Sequence, residues 1–224
     1  MRRRTLDVLF SAGGLALAVL LLVLGMVMTS NANFAKTYVA EQLGEQKITF
    51  KTADTLTAEE KESACLVKYA GLPLLTGKQA ECYANDFIGL HVKSTAGGLT
   101  YATLGDAQSA LRAKIAAATA ANATDPALPA MQKQLTDMTA QRETLFKGET
   151  LRGLLLTSFG FSVFGVKGEQ AASVAYIAAV VLALLSIAGL IHAFKTPKDQ
   201  AFAAPEKPKS QPDTKPETKP LIGV

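Results

Sequence analysis

The sequence is poor in the residues most chemistry needs. Its 224 residues include two cysteines and two histidines. Two cysteines exclude a four-thiolate zinc site and a disulfide-dense mini-scaffold. No P-loop, no G-x-G-x-x-G and no nucleophile elbow occurs. Charge is scarce as well: 19% of residues are charged, against about 25% in an ordinary soluble domain. The shortage is local. Val8 to Met28 and Ala171 to Phe194 contain no charged residue at all. A simple soluble globular protein is thereby excluded.

What is present gains meaning from its position. The net charge of +4 lies at the two ends, because residues 30–170 carry 14 basic and 14 acidic side chains. Nucleic-acid binding needs clustered cations that displace counterions from phosphates, and the middle of the chain has none in excess, so no nucleic-acid partner is expected. A helix needs about 20 apolar residues to cross a hydrocarbon core ~30 Å thick. Both uncharged runs meet this, so the lipid bilayer is the first expected partner. Arg2, Arg3 and Arg4 precede the first run, and Lys195 and Lys198 follow the second. Cytoplasmic flanks favour Lys and Arg. The expectation is a multi-pass plasma-membrane protein: cytoplasmic residues 1–7, span 8–28, an extracytoplasmic domain over 30–150, an apolar pre-membrane segment over 151–166, span 171–194, and a cytoplasmic tail over 195–224. A cleaved signal peptide is the alternative for the first run, although its apolar stretch exceeds the ~7–15 residues usual there.

Small residues mark the spans. Ser11, Gly14, Ala18 and Gly25 recur in the first; Ala171, Ala175, Ala179 and Ala183 recur every four residues in the second. Such stripes let helix backbones approach closely in lipid. They pack the spans on each other or offer a docking face to another membrane protein. No charged group lies within either span, which argues against a pump, a proton relay or a voltage sensor. His192 is expected at the inner membrane edge and His91 outside, so the two cannot share a metal or a haem.

The fold class expected is mainly α, with two transmembrane helices and a helical, disulfide-stapled extracytoplasmic domain. Asn33 to Gln46 has helical composition, with Phe34, Tyr38 and Leu43 as an apolar stripe. Ile48 to Thr52 alternates and suggests one short strand. Thr57 with Glu60, and Thr76 with Gln79, read as capping boxes. The first helix should end near Gly71-Leu72-Pro73, and the second near Gly89. Asp106 is placed to cap a helix ending near Ala121. Asp125-Pro126 reads as a cap with proline at the first helical position. Leu128, Met131, Leu135, Met138 and Leu145 then mark one face of a long helix. Leu111 and Ile115 face them across an expected antiparallel hairpin. Glu59, Glu60 and Glu62 fit the positive end of a helix dipole better than a catalytic cluster.

Cys65 and Cys82 lie symmetrically about the Gly71–Pro73 break. Two helices folded back there bring the sulfurs to one height. In an oxidising compartment they should form a disulfide; the spacing lacks the Cys-x-x-Cys signature of redox pairs. Gly153 to Val166 is a third apolar stretch, too short to span. It carries Phe159, Phe161 and Phe164, the best candidate interaction residues. It reads as a continuation of the long helix meeting the outer interface. Residues 196–224 hold six of the nine prolines, a composition that favours disorder.

The block CLVKYAGLPLLTGKQAECYANDFIGLHVK and the stretch LRGLLLTSFGFSVFG resemble a group of uncharacterised actinobacterial membrane proteins with two spans. The resemblance covers most of the chain except the tail and implies a bacterial plasma membrane. Some members are described as aromatic ring-opening dioxygenases, which implies a non-haem iron held by histidines and a carboxylate. Only His91 lies in the outer region here, so no ligand set carries over. The expected function is a non-catalytic accessory or assembly subunit of a larger respiratory or cell-envelope membrane complex, with other membrane subunits as partners and no catalytic, cofactor or metal site. A homo-oligomeric channel or transport component and an envelope sensor are the alternatives.

Overall fold

A computed structural model describes residues 3–197. The tail expected beyond Pro197 therefore lies outside the described residues, as does Arg2. The described chain is mainly helical. In order it forms α1 (Arg3–Glu45), α2 (Ala58–Lys61), α3 (Ala64–Tyr69), α4 (Gly77–Cys82), a π-helical segment (Tyr83–Ile88), α5 (Gly89–Thr95), α6 (Tyr101–Ala121) and α7 (Leu128–Lys195). Two helices, α1 and α7, are long and apolar enough to cross a membrane. The chain divides into two units, residues 1–22 with 176–224 and residues 23–175.

Both long helices pass through the polar stretches next to their apolar runs. No proline interrupts α1, and Thr29 returns its hydroxyl to the Gly25 carbonyl at 2.9 Å. The segment expected over Asn33–Gln46 is thus, as far as Glu45, part of the same helix as the first apolar run. In α7, Ser173 donates to the Glu169 carbonyl at 3.0 Å, and Gly168 does not break the helix. The apolar stretch 153–166 accordingly belongs to one helix with the second run.

In the larger unit, α2 to α5 fold around a core of Val39, Leu43, Phe50, Leu66, Leu74 and Leu155. Thr57 and Thr76 each form the expected capping box. The helix after Thr57 is shorter than expected. Ser63 interrupts it, because its hydroxyl accepts from Leu66 N and starts α3 instead. The chain reverses at Gly71, whose φ of +73° suits a residue without a Cβ. The strand expected over Ile48–Thr52 is reduced to one bridge, Thr49 to Pro73. Phe50 N donates to Leu72 O, Leu74 N to Ile48 O and Gly71 N to Lys51 O. The pairing stops at the Gly71 turn on one side and, on the other, where Leu75 N donates to Gln79 Oε1 at 2.9 Å.

The helix expected to stop near Gly89 continues to Thr95 through the π segment. There Tyr83, Phe87 and His91 form a column with ring centroids 4.6 and 4.5 Å apart. α6 begins earlier than expected. Thr100 and Thr103 cap it reciprocally, which leaves Asp106 inside the helix. α7 begins at Leu128, because Asp125 spends its carboxylate on the Ala127 amide in the preceding turn. The α6–α7 hairpin is present: Leu104 and Leu145 are buried together with Ala96, and Gln108 donates to Thr139 at 2.6 Å.

In the smaller unit the apolar runs carry a reciprocal fit. A Cβ built on Gly14 falls 2.3 Å from Ser186 Oγ, and one on Gly189 falls 2.4 Å from Ser11 Oγ. Serine and glycine sit three residues apart on both helices, so each serine covers the other helix's glycine.

Candidate functional site

Four sets of residues offer chemistry or contact. The first is the small-residue stripe. Ser11, Ala18 and Gly25 are buried on α1, with Gly14 half-buried. On α7 the buried set is Ala172, Ala175, Ala179, Ser186 and Ala193. Of the expected four-residue series, Ala175 and Ala179 are buried, Ala183 is half-buried and Ala171 is exposed. The reason is geometric. Steps of four overshoot a helical turn by ~40°, so they leave the contact face within a few steps, whereas the seven-residue series 172, 179, 186, 193 stays on it. These residues pack one helix against the other.

The second set surrounds Glu60, whose side chain is only 1% exposed. Its Oε1 receives Lys51 Nζ at 2.7 Å, and its Oε2 accepts the Thr57 amide at 2.8 Å. Burial works against its charge. The Lys51 hydrogen bond, the Thr57 amide and the positive charge of Lys51, with His91 adding to it, outweigh that cost and hold the carboxyl below its ordinary value. His91 Nε2 lies 3.6 Å from Oε1. Its Nδ1 lies 2.7 Å from the Phe87 carbonyl, and since a carbonyl only accepts, Nδ1 carries a proton. Lys51 also lies over the Phe87 ring at 5.2 Å. The arrangement ties segment 47–51, α2 and the π segment together.

The third set is the disulfide Cys65–Cys82, which joins α3 to α4 with Cα atoms 6.0 Å apart. Asp86 Oδ2 lies 2.8 Å from Cys65 Sγ and accepts from Ser63 Oγ at 2.7 Å. Ligand atoms of Cys65, Cys82 and Asp86 fall within 4.8 Å of one another. Both sulfurs are spent in the covalent bond, so neither offers the thiolate a soft metal requires. Iron of the dioxygenase type fits no better. A facial triad takes two imidazoles and a carboxylate; His91 is the one histidine of the larger unit, and its neighbouring carboxylate already holds Lys51. Ser63 and Asp86 also line an open cavity of about 510 Å³ with Glu59, Glu62, Glu149 and Arg152. Arg152 reaches Glu149 and Asn85, while its Nε is buried without a partner.

The fourth set is aromatic. Phe34 stacks on Tyr38 at 5.7 Å, and Tyr38 meets Phe161 edge-on at 5.9 Å. Phe34 is 61% exposed and Phe164 77% exposed. Phe161 and Phe164 face outward, whereas Phe159 is half-buried under Lys78, whose Nζ lies 4.8 Å from the ring centroid. Beside this cluster, α1 and α7 enclose an apolar cleft of about 460 Å³. Just below the aromatics, Lys36 pairs with Glu169, and Gly165 and Gly168 pack against Ala32 of α1.

The sequence pointed to the cysteines and to the phenylalanines. It gave Phe34 and Tyr38 as part of one apolar helical stripe, but not the meeting of Tyr38 with Phe161, and it did not point to the buried role of Glu60. A capping glutamate carries no signal of what folds over it. Comparison with protein-family models, curated proteins and solved structures finds no match for this chain.

Proposed function

We propose that this chain is a non-catalytic accessory or assembly subunit of a larger bacterial membrane complex. In this reading α1 and α7 each cross the plasma membrane, both termini are cytoplasmic, and residues 30–170 lie outside. The resemblance to two-span actinobacterial proteins is part of the same reading. The observation that carries it is the exposed aromatic cluster of Phe34, Tyr38, Phe161 and Phe164, next to the polar belt formed by Lys36, Lys167 and Glu169. Large exposed aromatics grouped on a rigid helical surface are the usual anchors of protein interfaces. Their place at the end of the apolar runs suits a membrane-embedded partner whose outer segments rise to the same height.

The test is purification of tagged full-length protein from membranes in mild detergent, followed by mass spectrometry. Defined membrane subunits should co-purify with the wild type. They should be lost, by about tenfold or more for removal of a hot-spot aromatic, with Phe34→Asp and Phe164→Asp together. A lone monomer from the wild type overturns the reading.

A further inference from the structure

We propose that the apolar cleft between α1 and α7 holds one alkyl chain of a membrane lipid. This goes beyond the subunit reading and rests only on its two-span part. The cleft of about 460 Å³ falls in the ~300–1,000 Å³ range of small-molecule sites. Val39, Leu43, Leu151, Leu154, Leu155 and Phe161 make up half of its lining residues, and no charged residue lines it. Two hydroxyls on the wall are spent within their own helix: Thr157 donates to the Gly153 carbonyl at 2.9 Å and Ser158 to the Leu154 carbonyl at 3.2 Å. Polar capacity is left at Gln42 and Gln46 on one side, and at Tyr38. Such a wall has nothing for a charged headgroup and too few partners for a peptide backbone. A partner helix is also too large, since two turns ~10 Å across and ~11 Å long displace roughly 900 Å³. An extended hydrocarbon chain matches both the chemistry and the volume.

The cleft also has an approach that is apolar apart from Asn31. Phe161 lines it and lines a second cavity of about 370 Å³ with Met28, Asn31, Ala32, Phe34 and Phe164. Met28 ends the apolar run that begins at Val8. A chain leaving the lipid at Met28 therefore meets apolar surface past Phe161 and on to Leu43. Leu154 lines the cleft yet stands 62% exposed, the surface such a chain would cover.

Full-length protein in phosphatidylcholine vesicles, doped with a phosphatidylcholine bearing a diazirine at one acyl terminus, tests this by irradiation and peptide mapping. Adducts are expected within residues 38–48 and 151–161 as well as within the spans. Leu151→Lys with Leu154→Lys places two charges on already exposed positions. It should lower the cleft adducts by about tenfold or more and leave the span adducts unchanged. Thr157→Phe, which adds bulk to the wall at an exposed position without charge, should do the same. Adducts confined to 8–28 and 171–194, or cleft adducts indifferent to both variants, overturn the proposal and leave the span reading standing. Protein–protein adducts in the cleft overturn it in favour of a polypeptide occupant. Absence of span adducts overturns the two-span reading, and the proposal with it.

Discussion

At the residue scale, Glu60 is the most consequential side chain outside the apolar runs. It is a capping residue and, at the same time, the buried acceptor for Lys51. Glu60→Gln keeps the shape and removes the charge. It should destabilise the larger unit by about 2 kcal/mol, within the range for losing a charged hydrogen bond, measured by urea unfolding in detergent. The pH dependence has a definite sign. The folded carboxyl titrates below its ordinary value, so its contribution is complete above the unfolded value of about 4.3. It is lost as pH falls through the lower folded value, when the native carboxylate takes up a proton. Wild-type stability should therefore fall below about pH 4, and the Gln variant should show a shallower fall.

The cysteines are the other residue-scale case, and here the sequence was sufficient. Their symmetric placement about Gly71–Pro73 follows from helix geometry, and the disulfide Cys65–Cys82 is present. Its loop, with a sequence separation of 17, should contribute about 3 kcal/mol in the chain-entropy model. Replacing both cysteines by alanine should show that loss in the same unfolding assay. Alkylation of protein from intact cells should add two groups only after reduction. Asp86, 23 residues from Ser63 in sequence, was not legible as part of this corner. Its position depends on the π segment, and a single widened turn leaves no periodic trace in the sequence.

At the scale of the element, capping chemistry read well and helix ends read less well. Thr57–Glu60 and Thr76–Gln79 were legible because a capping box is local and reciprocal. The break at Ser63 and the early start of α6 at Tyr101 were not, since serine and threonine are common and several could have served as caps. The strand at Ile48 stayed short for a tertiary reason: its partner segment is confined between the Gly71 turn and the Gln79 side chain, which takes the Leu75 and Thr76 amides. Close approach is similarly invisible. A Cβ on Gly77 would lie 2.5 Å from Ser162 Cβ and 3.4 Å from Phe159 Cα, so α4 meets α7 almost backbone to backbone. Gly77→Ala should cost about 1–3 kcal/mol through forced displacement. Gly160, on the same helix α7, has nothing within 4 Å of a built Cβ. Gly160→Ala should instead gain up to about 1 kcal/mol from helix propensity. Opposite signs in one unfolding assay would separate contact from propensity.

At the scale of the whole molecule, the proposed two-span reading turns on one question: which side of a membrane would hold residues 30–170. Composition placed the charge excess at both ends and left the middle neutral. The two helices α1 and α7 are long and apolar enough to cross. The loop between α6 and α7 supplies the probe. Residues 122–124 and 126–127 are exposed, and no regular helix covers them. Proteinase K added to intact spheroplasts should cut there first, because loop tips with small residues are preferred sites of nicking. The cut separates the spans, so two fragments should remain in the membrane fraction, one carrying each apolar run. Cys65 and Cys82 both lie in the first, so reduction should not change the pattern. A tag at the C-terminus should survive, shielded by the membrane, and should be digested only when the cells are lysed. A protected loop with a lost tag would reverse the orientation. It would place the disulfide in a reducing compartment, where such bonds rarely persist, and would remove the basis for the outer docking surface as well.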